Sequence, residues 1–117
     1  MFMNVINVLG TEYKLFKLKK DEDKRLSNKD GFCDLCAKEI VVLKCEDDEN
    51  DIDSMRNLQD YENKVLRHEI IHAFLYESGL DINSHDIEQW ACDEELVDWI
   101  AIQFPKMVKI FIELGIL

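Results

Sequence analysis

Three residues, His68, Glu69 and His72, have the types and spacing to do metal chemistry. In His68-Glu69-Ile70-Ile71-His72 the histidines stand four apart, which on a helix puts both imidazoles on one face where they can grip one cation. Glu69 follows the first histidine, so its carboxylate can reach a water on that cation and take its proton. The chain holds only three histidines, and two of them fall at this spacing. The chemistry this suggests is metal-assisted hydrolysis, with zinc the common metal best suited to two imidazoles and a carboxylate.

An ordinary helix could carry the same residues by chance. The neighbours argue otherwise: Val65, Leu66, Ile70, Ile71, Ala73, Phe74 and Leu75 make the stretch apolar enough to be largely buried. Burying a carboxylate beside two imidazoles without a partner costs several kcal/mol, and a cation partners all three. Catalytic zinc takes three protein ligands and keeps a position for water, so a third ligand is needed. The residue six past His72 is Ser78, so no histidine stands there. His85 is the remaining histidine, and Asp93-Glu94-Glu95-Leu96-Val97-Asp98 offers acids at the start of a second helix.

These residues resemble a known group. His68-Glu69-Ile70-Ile71-His72 followed by a helix carrying Glu94 and, four on, Asp98 resembles the gluzincin metallopeptidases. The small size, the sheet-then-helix order and the sequences at 31–34, 67–80 and 94–106 resemble the ImmA/IrrE-like peptidases of phage and prophage type. The resemblance implies one zinc ion per chain, held by His68, His72 and Glu94, with Asp98 hydrogen-bonding a ligand histidine. Glu95 does not fit that role, since Trp99 stands four residues on. One departure is Ile71, where many relatives carry Gly before the second histidine. On the helix that position faces packing rather than metal.

The mechanism expected of such a site runs through Glu69 as general base, which passes its proton on to the leaving amine. Asp98 would orient His68. An oxyanion-stabilising group is also needed, and His85, Tyr76 and Tyr61 are the candidates. The expected substrate is a peptide or protein, and the resemblance points to a transcriptional regulator. The substrate could lie along an edge strand, with Ile40 to Lys44 the first choice. Two rival readings are a catalytically silent metal-binding relative and a metal-free module that uses its acidic surface to bind a partner.

The elements that position these residues follow from patterning. Residues 4–18 are rich in β-branched and aromatic types and partly alternate, as in a strand with one wet face, with Gly10 a bulge or bend. Residues 19–31 are charged and polar, a loop holding one helical turn around Asp23 to Leu26. Phe32–Leu35 and Ile40–Lys44 read as a hairpin. A long helix capped by Asp53 or Ser54 runs to Ser78 and stops at Gly79. Along it Tyr61, Val65, His68, His72 and Leu75 or Tyr76 share one face, and Leu66, Ile70 and Phe74 make a second stripe. Leu80 to Gln89 is a polar connector. A helix over Trp90 to Phe104 ends at Pro105, and a short one over Met107 to Leu114 closes at Gly115. The expectation is an α+β domain: a small antiparallel sheet of about three strands packed on the two site-bearing helices, a minimal zincin-like unit.

Bulk properties narrow the function classes. At 117 residues and 47% hydrophobic, with one proline and four glycines, the chain reads as a single globular domain. Its 14 basic against 25 acidic residues leave a net charge of −11, which repels phosphate backbones and argues against nucleic acid. Much of the excess lies in Glu46 to Asp53, read as a solvated loop. No apolar run reaches the ~18 residues of a membrane span. Residues 1–9 lack a basic leader and a small-residue cleavage site, so the expected location is the cytoplasm. The cysteines Cys33, Cys36, Cys45 and Cys92 are then expected as reduced thiols. Cys33-x-x-Cys36 has the spacing of a second metal site or a redox pair, but lacks a second cysteine pair or a following helix.

Overall fold

A computed structural model describes residues 1–45, 58–83 and 90–117. Their class is α+β: a four-stranded mixed sheet with three helices. Strands β1 (Phe2–Val8), β2 (Thr11–Leu18), β3 (Gly31–Asp34) and β4 (Glu39–Leu43) lie in the order β1-β2-β4-β3. The expectation of about three antiparallel strands is corrected in two ways. Residues 4–18 are not one bent strand but the β1–β2 hairpin, in register from Val8↔Thr11 outward. Leu9 and Gly10 both take positive φ, 51° and 97°, the geometry of a two-residue turn that matches strand twist. The Asn7 side chain accepts the Gly10 N–H at 2.8 Å to hold it.

The second correction is direction. β3 and β4 form the expected antiparallel hairpin, but β4 joins β2 in parallel, Lys14↔Glu39 through Leu18↔Leu43. This buries β4 inside the sheet, with Ile40, Val41 and Val42 each at most 2% exposed. Ile40 to Lys44 is therefore not a free edge. The free edges are β1 and β3.

Helix α1 (Leu58–Glu77) crosses one face of the sheet. Val8, Tyr13, Leu15, Ile40 and Val42 from the strands meet Val65 and Ala73 of α1, with Leu66 and Ile70 at the margin. Phe74, expected on the same stripe, is 41% exposed. The helix stops before Gly79, whose φ of 83° suits glycine and no β-branched residue. Its expected cap at Asp53 or Ser54, like the acidic run, lies outside the described residues. On the other face of the sheet, the loop after β2 makes a 3₁₀ turn over Lys24–Leu26 with Asp23 as its cap. There Leu26 is fully buried and the Arg25 guanidinium lies 4.1 Å from the Phe32 ring centroid.

Residues 80–83 are not plain connector but a one-turn helix, α2 (Leu80–Asn83). Trp90–Cys92 form a 3₁₀ turn rather than the start of a long helix. Asp93 breaks in as a cap, accepting the N–H of Glu95 at 2.8 Å and of Leu96 at 3.2 Å, and α3 (Glu94–Glu113) begins there. The expected break at Pro105 is also overturned: α3 continues through it as one helix. Among the described residues, no helix is long and apolar enough to cross a membrane.

Candidate metal centre

α1 turns Glu62, Val65, Glu69 and Ala73 inward, which leaves His68 and His72 a step round the helix, toward α3. α3 runs antiparallel to α1, so His72 meets Glu94 while His68 and Lys64 reach Asp98. Because Asp93 caps the helix, Glu94 is its first residue and projects its carboxylate over the two imidazoles. The His72 Nε2–Glu94 Oε1 distance is 2.8 Å, His68 Nε2–Glu94 Oε2 2.9 Å and His68 Nε2–His72 Nε2 3.2 Å. One ligand atom from each residue lies within 4.8 Å of the others, a group positioned to bind a metal ion. Among the described residues it is the one such group of three or more.

On its far side, His68 Nδ1 stands 3.2 Å from Asp98 Oδ1. A proton on Nδ1 shared with Asp98 leaves the Nε2 lone pair facing Glu94 and His72. Burial works against the Asp98 charge, but bonds from Lys64, at 3.1 Å, and from His68 outweigh it and hold its pKa below the ordinary value. Burial lowers the pKa of His72, partly offset by Glu94, which favours the neutral, ligand-competent ring.

Glu69 lies under the sheet edge, 8% exposed, and shares a cleft wall with His72 and Glu94. Burial, with the nearby Glu94 charge adding to it, pushes its carboxyl up from 4.5 to about 7. Gly31 of β3 passes directly above: a Cβ there would come within 2.8 Å of Val65 Cγ1 and 3.4 Å of Glu69 Oε2. Only glycine lets the strand approach this closely. Because the Asp30 carbonyl accepts the Leu43 N–H at 2.8 Å, alternation turns the backbone groups of Gly31 and Cys33 outward, to the open edge.

Between that edge and the helices lies a cleft of about 460 Å³, lined by Lys29, Phe32 and Leu35 with Glu69, His72 and Glu94. A smaller recess of about 200 Å³ opens on the other side, among Tyr61, Lys64, His68 and Asp98. Of the oxyanion candidates, Tyr61 lines this recess; it donates to the Asp30 carboxylate, and burial raises its pKa. Tyr76 lies away from both, its ring centroid 4.9 Å from the Lys38 ammonium. His85 falls outside the described residues.

Sequence reasoning missed Lys29 and Lys64, whose only signals were position: one just before the Gly31 strand, the other one turn before His68. All four cysteines are free thiols. Burial pushes Cys33 up to about 12, a protonated thiol at neutral pH rather than a ready nucleophile or ligand. No protein-family model, curated protein or solved structure matches the chain.

Proposed function

We propose that this chain is a zinc-dependent metallopeptidase of the gluzincin type, one ion per chain, with His68, His72 and Glu94 as ligands. The observation that carries the reading is a convergence of acceptors. Two imidazole nitrogens and a carboxylate meet at 2.8–3.2 Å. Such groups repel unless a cation or shared protons sit among them. The donor set, two nitrogens and an oxygen, is that of catalytic zinc.

When bound, the ion supplies Lewis acidity, polarising a carbonyl and acidifying a water. Glu69 is the base for that water. It takes that water's proton and returns it to the leaving amine. Asp98 holds the His68 ring in one orientation, and Lys64 holds Asp98. The outward backbone groups of Gly31 and Cys33 suit an extended peptide added to β3, which would run its chain past Glu69. The resemblance to ImmA/IrrE-like peptidases supports a protein substrate such as a transcriptional regulator.

The deciding experiment is metal content by elemental analysis, on protein purified without added metal, beside His72→Ala. About one zinc per chain, lost in the variant, is expected. No metal even after zinc is offered would sink the reading and favour the acidic interaction module. A bound ion without hydrolysis of any peptide tried would favour a silent relative.

A further inference from the structure

The metal ligands come from two helices, and Glu94, its side chain 72% exposed, is the ligand least held by its surroundings. Its place depends on how α3 sits on α1. That seat is small: of α3 only the short side chains of Val97 and Ala101 are fully buried, with Leu96 and Ile100 half-buried beside them. Lys64 and His68 both reach Asp98 across it, but the Lys64–Asp98 pair is partly exposed, at 26% and 38%, and contacts of that kind contribute little.

One further bond crosses this seat. Pro105 has no N–H, so the carbonyl four residues back, on Ala101, loses its helical donor, and the ring crowds it outward. Ala101 is fully buried, where an unsatisfied carbonyl is costly. Arg67, the residue immediately before His68, supplies the missing donor: its Nε lies 2.7 Å from the Ala101 oxygen. Ala101 stands two turns after Glu94 on the same side of α3. The bond therefore joins the neighbour of one ligand to the helix face of another.

We infer that Arg67 is a positioning residue for the metal centre, holding α3 in register through the carbonyl that Pro105 frees. This rests on the metal reading above. A buried hydrogen bond to one carbonyl restrains both the height and the rotation of α3 at its deepest point, adding to the small apolar seat and the partly exposed contacts at Asp98. It also explains why a proline that should break a helix sits inside one: the carbonyl it strands is the docking point.

The test is a four-protein cycle on the full chain: wild type, Arg67→Met, Pro105→Ala and the double variant. The readouts are the zinc dissociation constant, by competition with a chromophoric chelator, and the thermal midpoint of the metal-stripped proteins. Arg67→Met should weaken zinc roughly tenfold. In the Pro105→Ala background the N–H of residue 105 returns to Ala101, and the same change should cost less than about threefold. Arg67→Lys, which can still donate, should stay within about threefold of wild type.

Equal losses in both backgrounds would overturn the inference. So would a lowered midpoint with unchanged zinc affinity, which is what a merely structural contact gives. If Arg67→Met does not fold, a folded double variant supports the coupling and an unfolded one overturns it. Wild-type protein that takes up no zinc would sink the metal reading and this inference with it, whereas zinc binding with an uncoupled cycle would sink this inference alone.

Discussion

Three acids on α1, Glu62, Glu69 and Glu77, face the sheet at intervals of seven and eight residues, and their surroundings differ sharply. Glu62 pairs with Lys17 at 2.8 Å and accepts the Cys45 N–H at 2.7 Å. Glu77 accepts from Tyr13 at 2.7 Å, Lys38 at 2.8 Å and Thr11 at 3.1 Å. The bond from Lys38, then that from Tyr13, holds its pKa below the ordinary value. Glu69, between them, makes no hydrogen bond or ion pair to another described residue and is pushed up to about 7. Residue type and helix face are the same. The outer two acids stitch the helix ends to the sheet, and burial leaves the middle one favouring its protonated form in the metal-free protein.

The largest effect is expected at Glu69. Glu69→Gln should keep the zinc content of wild type and lose peptide hydrolysis by about 10²–10⁴-fold. Turnover at the wild-type rate would remove it from the mechanism.

Stability against pH sharpens the contrast. In metal-stripped protein Glu69 has a folded pKa above its ordinary 4.5, so its contribution is full below that pH and disappears as pH climbs through about 7. Glu77 works in the opposite sense: its contribution is present above the ordinary carboxylate range and fades as pH falls through its lowered value. Urea titrations should then show Glu69→Gln removing a decline of roughly 3 kcal/mol between about pH 5 and 7. Glu77→Gln should instead flatten the loss below that range. Identical profiles for the two variants would erase the distinction.

A smaller effect is expected at Glu62. Glu62→Ala leaves Lys17 and the Cys45 N–H without their partner and should cost ~2 kcal/mol of folding stability. Zinc affinity should hold within about twofold. A large loss of affinity would mean that the ends of α1 are not merely structural.

How much of this was legible in the sequence follows the range of the interactions. His68, Glu69 and His72 are relations within one helical turn, which spacing reveals, whereas Glu94 with Asp98 stood on the resemblance to gluzincins. The β3–β4 hairpin is similarly local. What escaped depends on partners distant in the chain or on backbone choices that side-chain type disfavours. Leu9 at positive φ gives no turn signal, so the first hairpin read as one strand. The parallel joining of β2 to β4 spans the whole of β3, and no alternation in either strand specifies it. That joining moved the free edge from Ile40–Lys44 to Gly31–Asp34. Pro105 read as a terminator because the donor that compensates it, Arg67, is 34 residues upstream of the Ala101 carbonyl it satisfies.

The far edge of the sheet has a consequence for how copies of the molecule treat one another. β1, Phe-Met-Asn-Val-Ile-Asn-Val, carries no charge and no proline, and Phe2, Met3 and Val5 are 53%, 39% and 41% exposed. An open strand of this kind is a template for another strand, since nothing along it repels one. The charge of the whole body, −11, opposes the meeting of two such edges. Added salt screens that repulsion, and acid removes it by neutralising carboxylates. The acidic excess is thus a colloidal property, acting at a distance on an edge that itself carries no charged side chain.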